Sequence, residues 1–211
     1  MAALGVLVGV VVWLATRRDV VQSIGSGFQS AYDNGVDYMG ALGESFGFVK
    51  TSNMSAVDKS LVNHPNVRAM LRVIRNGESS QDDVAYQMLC GQRGAAFTSF
   101  ADHPRPALPS PCSRGAAGAY QIIIRTWDWV RGEMKLPDFS PASQDLAALG
   151  LIAYRGALPA VLAGDVATAV AKLKNEWTSL PGGAENNPLA GDVEKARRLF
   201  VAWGGSGRVY A

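Results

Sequence analysis

Residues 73–80 read VIRNGESS, an apolar run that meets a glycine and then a lone carboxylate, Glu78. Counted back along the chain, Val67, Met70, Leu71, Ile74 and Glu78 are separated by 3, 1, 3 and 4 positions, so a helix puts all five on one face. The segment NHPNVRAMLRVIRNGE carries the start signals of that helix, with Asn63 as N-cap and Pro65 in the first turn. An acid therefore ends an oily stripe, at the point where a predicted helical domain begins.

Downstream the pattern changes and then returns. Residues 84–113 hold Gly91, Gly94, Pro104, Pro106, Pro109 and Pro111 among short runs such as YQMLC and AAFTSF, the signature of a small hairpin or irregular lobe. After GAAGAYQIIIRTWDWV the chain reads as helical again. SPASQDLAALGLIAYRGAL opens with a Ser140-Pro141 cap, DVATAVAKLKNEWTSL with Asp165, and DVEKARRLFVAWGG with Asp192, ending at Gly204. The fold class expected is α+β and mostly α: two lobes over residues 61–211, with a small β lobe inserted after the first helix. A cleft between lobes suits a long substrate.

Upstream, MAALGVLVGVVVWLATRR holds 14 uncharged, mostly apolar residues from Ala2 to Ala15 before Arg17 and Arg18. That is short of the roughly 20 residues of a bilayer span. The charge follows the apolar run, opposite to a secretory signal with a basic start. Residues 1–18 thus read as an apolar N-terminal helix, serving as a weak membrane anchor, a releasable signal-anchor or an assembly helix, against the plainer alternative of a soluble core helix. Residues 19–60 interleave Gly and Ser with Phe28, Tyr32, Tyr38, Phe46 and Phe48, and read as a connector.

The totals exclude other classes. In 211 residues, 48% hydrophobic and 18% charged content describes a globular chain. A net charge of +2 selects no polyanion, and no nucleic-acid partner is expected. Only His64, His103, Cys90 and Cys112 are available as soft ligands, with neither CxxC nor HExxH, so no metal and no cofactor are expected. The two cysteines are 22 residues apart and read equally well as buried thiols or as a disulfide contributing about 3 kcal/mol.

Five segments carry a family resemblance: FTSFADHPRP, GAAGAYQII, LPDFSPASQDLAAL, RGALPAVLAGD and WTSLPGG, in this order after a helix ending in Glu78. Together they resemble the lambda-type phage endolysins, lytic transglycosylases with a lysozyme-like fold, over roughly residues 65–183. The resemblance implies cleavage of the MurNAc-β-1,4-GlcNAc bond of peptidoglycan with formation of a 1,6-anhydro sugar. It also implies Glu78 as the catalytic acid. Tyr120 and Gln121 match positions near the sugar, and a Gln can bind an acetamido group or orient the C6 hydroxyl. Phe100 and its loop are candidates for a lip over the glycan, or for packing within the small lobe. Two departures stand out: the family carries Gly-Thr after the acid where this chain has Ser79-Ser80, and residues 1–60 have no counterpart in a minimal endolysin.

The chemistry of the residues runs parallel to the resemblance. Cleaving a glycosidic bond needs a proton, and apolar neighbours favour the neutral carboxyl of Glu78. A hydrolase needs a second carboxylate, about 5 Å away as nucleophile or about 6.5–9.5 Å away as base; Asp82, Asp83 and Asp102 are the candidates, though Asp82 and Asp83 read as a solvated turn and Asp102 as a loop fixer. A transglycosylase needs only the one glutamate, first as acid and then as base. Trp127 and Trp177 are expected in the core. Three functions are carried forward: the transglycosylase, a hydrolytic muramidase, and a virion or secretion protein that grips glycan without cleaving it. Each has peptidoglycan as partner and the host periplasm as workplace, with residues 1–60 available for inner-membrane tethering or for carriage in the phage particle.

Overall fold

A computed structural model describes residues 54–92, 94–106, 114–184 and 192–206. The expected anchor helix at residues 1–18, and the connector as far as residue 53, lie outside the described residues. Among those described, regular structure consists of six α-helices and three short 3-10 turns (Met54–Ala56, Lys59–Asn63 and Asp83–Gln87). The helices are α1 (Pro65–Glu78), α2 (Ile124–Met134), α3 (Pro141–Tyr154), α4 (Leu158–Leu162), α5 (Val166–Leu173) and α6 (Val193–Ala202). None of them is long and apolar enough to cross a membrane.

α1 forms as its spacing demands: Val67, Met70, Leu71 and Ile74 are all buried, each burial contributing about 1.5–3 kcal/mol as an upper bound. Its N-cap is His64, one residue later than the sequence signal at Asn63. The reason is Pro65, whose ring holds the preceding residue extended; His64 has φ −62° and ψ 132°, and its Nδ1 accepts from the Asn66 amide at 3.2 Å. Asn66 itself is buried and ties three elements together. Its Nδ2 donates to the Leu162 carbonyl (3.0 Å) and its Oδ1 accepts from the Ser206 amide (2.9 Å).

α3 is apolar on nearly every side, with Ala147–Ala153 wholly buried, so it is the central rod around which α1, α2 and α4 pack. Its expected Ser140-Pro141 cap is present, as are the caps at Asp165 and Asp192. The run ending YRGAL divides into two helices, because Gly156 adopts φ +66° and ends α3 before α4 begins. The core reaches back to Met54, which is 2% exposed.

The small lobe holds little strand. Among the described residues it is pinned by the isolated antiparallel bridges Leu89↔Ala117 and Ala117↔Ile122. Aromatic packing replaces the missing ladder: Phe139 lies 4.7 Å from Trp127, 4.9 Å from His103 and 6.1 Å from Phe97.

Candidate active site

The acid is positioned by how α1 ends. Ser79 leaves helical geometry at φ −154°, ψ −126°, while its amide still bonds the Arg75 carbonyl at 2.9 Å. Its hydroxyl donates to the Ala119 carbonyl at 2.7 Å. The chain beyond wraps a buried guanidinium: Arg75, 2% exposed, donates to the carbonyls of Ser80 (3.0 Å) and Asp82 (2.5 Å) and to the Tyr86 hydroxyl (3.3 Å). A planar fork with several donors fits this set of acceptors, so the last turn of α1 and the residues after Glu78 form one braced unit.

Glu78 lines a cavity of about 550 Å³. The Ser179 hydroxyl, 101 positions away in sequence, donates to Glu78 Oε1. Gly77 makes that approach possible, since a Cβ there would stand 2.5 Å from Ser179 Oγ and 2.8 Å from Ser179 Cβ. GAYQ contributes Tyr120 and Gln121 to the same lining. Gly118, at φ +77°, passes so close to Gln144 that a Cβ would meet its Oε1 at 2.2 Å. Gln144, fully buried in α3, accepts from the Ala119 amide (2.9 Å) and donates to the carbonyls of Tyr86 (3.0 Å) and Phe139 (2.8 Å). Gln121, which also lines the cavity, is held in the left-handed region at φ +47°, a conformation that costs a non-glycine residue about 1–3 kcal/mol and recurs at functional sites. Its Nε2 donates to the Gly118 carbonyl at 2.8 Å, while its Oε1 is buried with no hydrogen-bond partner among the described residues.

Tyr120 borders the same cavity, yet its side chain is 1% exposed and its hydroxyl donates to Asp145 at 2.6 Å. Tyr86 donates to the same oxygen at 2.9 Å. Burial pushes the Asp145 carboxyl above the usual range, although both tyrosine hydroxyls pull it the other way. Burial, reinforced by the Asp145 charge, pushes Tyr86 up to about 12 and Tyr120 well above its ordinary value. The Tyr120 carbonyl accepts from Trp177 Nε1 at 3.1 Å, which joins the GAYQ turn to the segment that carries Ser179. Trp127 and Trp177 are both buried, as their sequence context implied.

None of the three aspartates weighed as a second acid lines the cavity. Asp102 fixes its loop: its Oδ1 accepts from the His103 amide (2.8 Å), Trp127 Nε1 (2.9 Å) and Arg131 (3.0 Å). Burial opposes its ionisation, but these donors and Arg105 outweigh that and hold its pKa below the usual carboxylate value. Phe100 packs edge-on against Phe97 at 5.9 Å and does not border the cavity. Two residues that do were not singled out by sequence, Glu176 and Arg155, which pair through Arg155 Nε (2.8 Å) and NH2 (2.5 Å) on Glu176 Oε2. Cys90 also lines the cavity and is disulfide-bonded; the sequence has one other cysteine, Cys112, outside the described residues. No cluster of three or more His, Cys, Asp or Glu able to hold a metal occurs among the described residues.

This architecture has known counterparts. The family described as Endolysin matches residues 68–207. The endolysin of Escherichia phage P2 is 36% identical over 168 residues, covering 75% of this chain and 92% of the relative. That of Escherichia phage lambda is 43% identical over 110 residues, covering 51% of this chain and 68% of the relative. Among solved structures, the lysozyme of bacteriophage lambda superposes with a TM-score of 0.59 at 32% identity, over 69% of this chain and 97% of that one. The same lysozyme complexed with a chitohexasaccharide superposes at 0.60 and 33%, with the same coverage.

Proposed function

The chain belongs to the lambda-type endolysin family, and from that premise we propose that it degrades peptidoglycan as a lytic transglycosylase with Glu78 as its single catalytic carboxyl group. The observation that carries the reading is the hydrogen bond from the Ser179 hydroxyl to Glu78, a residue that lines one cavity together with Gln121. A related lysozyme has been solved with a chitohexasaccharide, which favours a glycan occupant here.

In the first step, protonated Glu78 donates its proton to the glycosidic oxygen between MurNAc and GlcNAc, and the C1–O bond breaks. In the second, ionised Glu78 takes the proton of the MurNAc C6 hydroxyl as that oxygen bonds C1 and closes the 1,6-anhydro ring. Protons balance over the two steps, and no water is consumed. Gln121 lines the cavity, and its Oε1, buried with no hydrogen-bond partner among the described residues, becomes an acceptor for the acetamido N–H or the C6 hydroxyl once the side chain rotates toward the sugar. Tyr120 borders the cavity in a fixed position, its hydroxyl being committed to Asp145 and its carbonyl to Trp177.

The hydrolytic alternative has one observation in its favour, the second carboxylate in the cavity, Glu176. That group is bound by the Arg155 guanidinium, which disfavours it as base or nucleophile. Mass spectrometry of digested peptidoglycan separates the two reactions, since anhydro ends are one water lighter than hydrated ones. Hydrated ends that disappear in Glu176→Gln would overturn the transglycosylase reading. The workplace is the host periplasm, with residues 1–60 contributing membrane or virion contacts. Probing purified particles and membrane fractions with an antibody distinguishes the two, and absence from both refutes tethering.

A further inference from the structure

Trp129 and Tyr154 are 39% and 40% exposed, whereas Trp127 and Trp177 are buried. They are not scattered surface residues: their ring centroids are 4.7 Å apart at an interplanar angle of 79°. An edge-to-face pair leaves the faces of the ring that contributes its edge uncovered by its partner. Adjacent exposed aromatics of this size call for an occupant in a way that a lone one does not.

The position of the pair names that occupant. On α2, Trp129 follows Thr126 by three residues; on α3, Tyr154 follows Leu151 by three. Both Thr126 and Leu151 line the cavity that holds Glu78, so each aromatic lies one helical turn beyond the cavity wall and on the same side of its helix. Arg155 continues the link, because it lines the cavity while its guanidinium carbon sits 5.5 Å from the Tyr154 ring centroid. The aromatic pair is thus continuous with the cavity rather than on a separate face.

We propose that Trp129 and Tyr154 form an accessory glycan platform at the cavity mouth, on which a β-1,4-linked N-acetylhexosamine ring of the strand leaving the cavity stacks its apolar C–H face. The proposal rests on the reading of the cavity as a glycan-cleaving site. In a β-linked pyranose the hydroxyls are equatorial and the ring faces carry C–H groups, a surface that matches an aromatic face. A polymer held in the cavity must continue beyond it, and these are the large apolar side chains that meet it on the α2–α3 side.

The test compares the full chain with Trp129→Ala, Tyr154→Ala and Trp129→Phe. On insoluble peptidoglycan the alanine variants are expected to raise KM about 3- to 10-fold at nearly unchanged kcat, a change in the range of one aromatic contact. Trp129→Phe recovers most of it. On a short tetrasaccharide fragment the same alanine variants shift KM less than twofold. An unchanged KM on the polymer, or an equal loss on the fragment, overturns the proposal. So does light scattering that shows a dimer of the full chain which Trp129→Ala dissolves, because a second copy would then be the occupant. Co-sedimentation with insoluble peptidoglycan, in the Glu78→Gln background, keeps the platform separable from the chemistry. There, weakened pelleting on adding Trp129→Ala supports the platform even if the parent chain cleaves nothing, and unweakened pelleting refutes it.

Discussion

Gly77→Ala separates helix stability from catalysis, and its two effects have opposite signs. In the last turn of α1, alanine gains up to about 1 kcal/mol over glycine. The new Cβ, however, would lie 2.5 Å from Ser179 Oγ, 2.8 Å from its Cβ and 3.4 Å from its carbonyl oxygen. The hydroxyl can rotate away, but the Cβ and carbonyl move only with their loop, at the cost of about 1–3 kcal/mol that overpacking usually exacts. Net destabilisation is therefore about 0–2 kcal/mol, a fall in Tm of at most about 8 °C for a domain of this size. Activity suffers more, because a hydrogen bond to a charged partner is worth about 1.5–3 kcal/mol, which converts to about a 10- to 100-fold slower clearing rate. The assay pairs a thermal melt with loss of turbidity of purified peptidoglycan at 25 °C. Adding Ser179→Gly to Gly77→Ala is expected to restore the melt without restoring clearing. A Gly77→Ala protein that melts higher than wild type and clears at full rate would refute the Ser179 contact and the role built on it.

Glu78→Gln is expected to keep the melt within a few degrees and abolish clearing; full clearing in that variant removes Glu78 from the mechanism. Tyr120→Phe strips one donor from buried Asp145 and is expected to cost about 1–3 kcal/mol in denaturant unfolding, while most clearing at 25 °C survives because that hydroxyl does not serve the cavity. Burial pulls the His103 pKa below its ordinary 6.5, so below about pH 6.5 the unfolded chain binds the proton that the folded chain refuses, and stability is lost as pH falls. A melt series from pH 7.5 to 5.5 should therefore slope downward in wild type and less so in His103→Gln; equal slopes contradict this. Dithiothreitol or Cys90→Ser is expected to lower stability by about 3 kcal/mol and to loosen a wall of the cavity, and an unchanged melt and rate would show that the bridge contributes neither.

The sequence was most informative where one local rule governed the outcome. The stripe of Val67, Met70, Leu71 and Ile74 required only helical periodicity, and the caps at Ser140, Asp165 and Asp192 only side-chain chemistry next to a helix start. The burial of Trp127 and Trp177 was equally accessible. The site's second layer was not, because its members are ordinary residues until the fold brings them together. Ser179 sat in WTSLPGG, a segment that carried the family resemblance, with nothing to mark its reach to Glu78. Gln144 had one visible signal, a polar residue inside an otherwise apolar helix, and Arg155 and Glu176 had none, being 21 positions apart on different elements. Asp145 reads as a surface charge until Tyr86 and Tyr120 are seen to point at it. The small lobe yielded its lack of regularity to Pro and Gly content, but not the aromatic cluster on Phe139 that holds it.

The Ser179 to Glu78 contact also has a meaning in time. Ribosomes build the chain from its N-terminus at about 5–20 residues per second, so the acid is synthesised about 5 to 20 s before the hydroxyl that orients it exists. α6, which closes over α1, arrives later still. A nascent chain carrying α1, α2 and the whole small lobe therefore has its acid but not the partner that aims it, and fragments cut short before residue 179 should be inert toward the wall. For an enzyme read as a degrader of peptidoglycan, the order of synthesis is itself a delay.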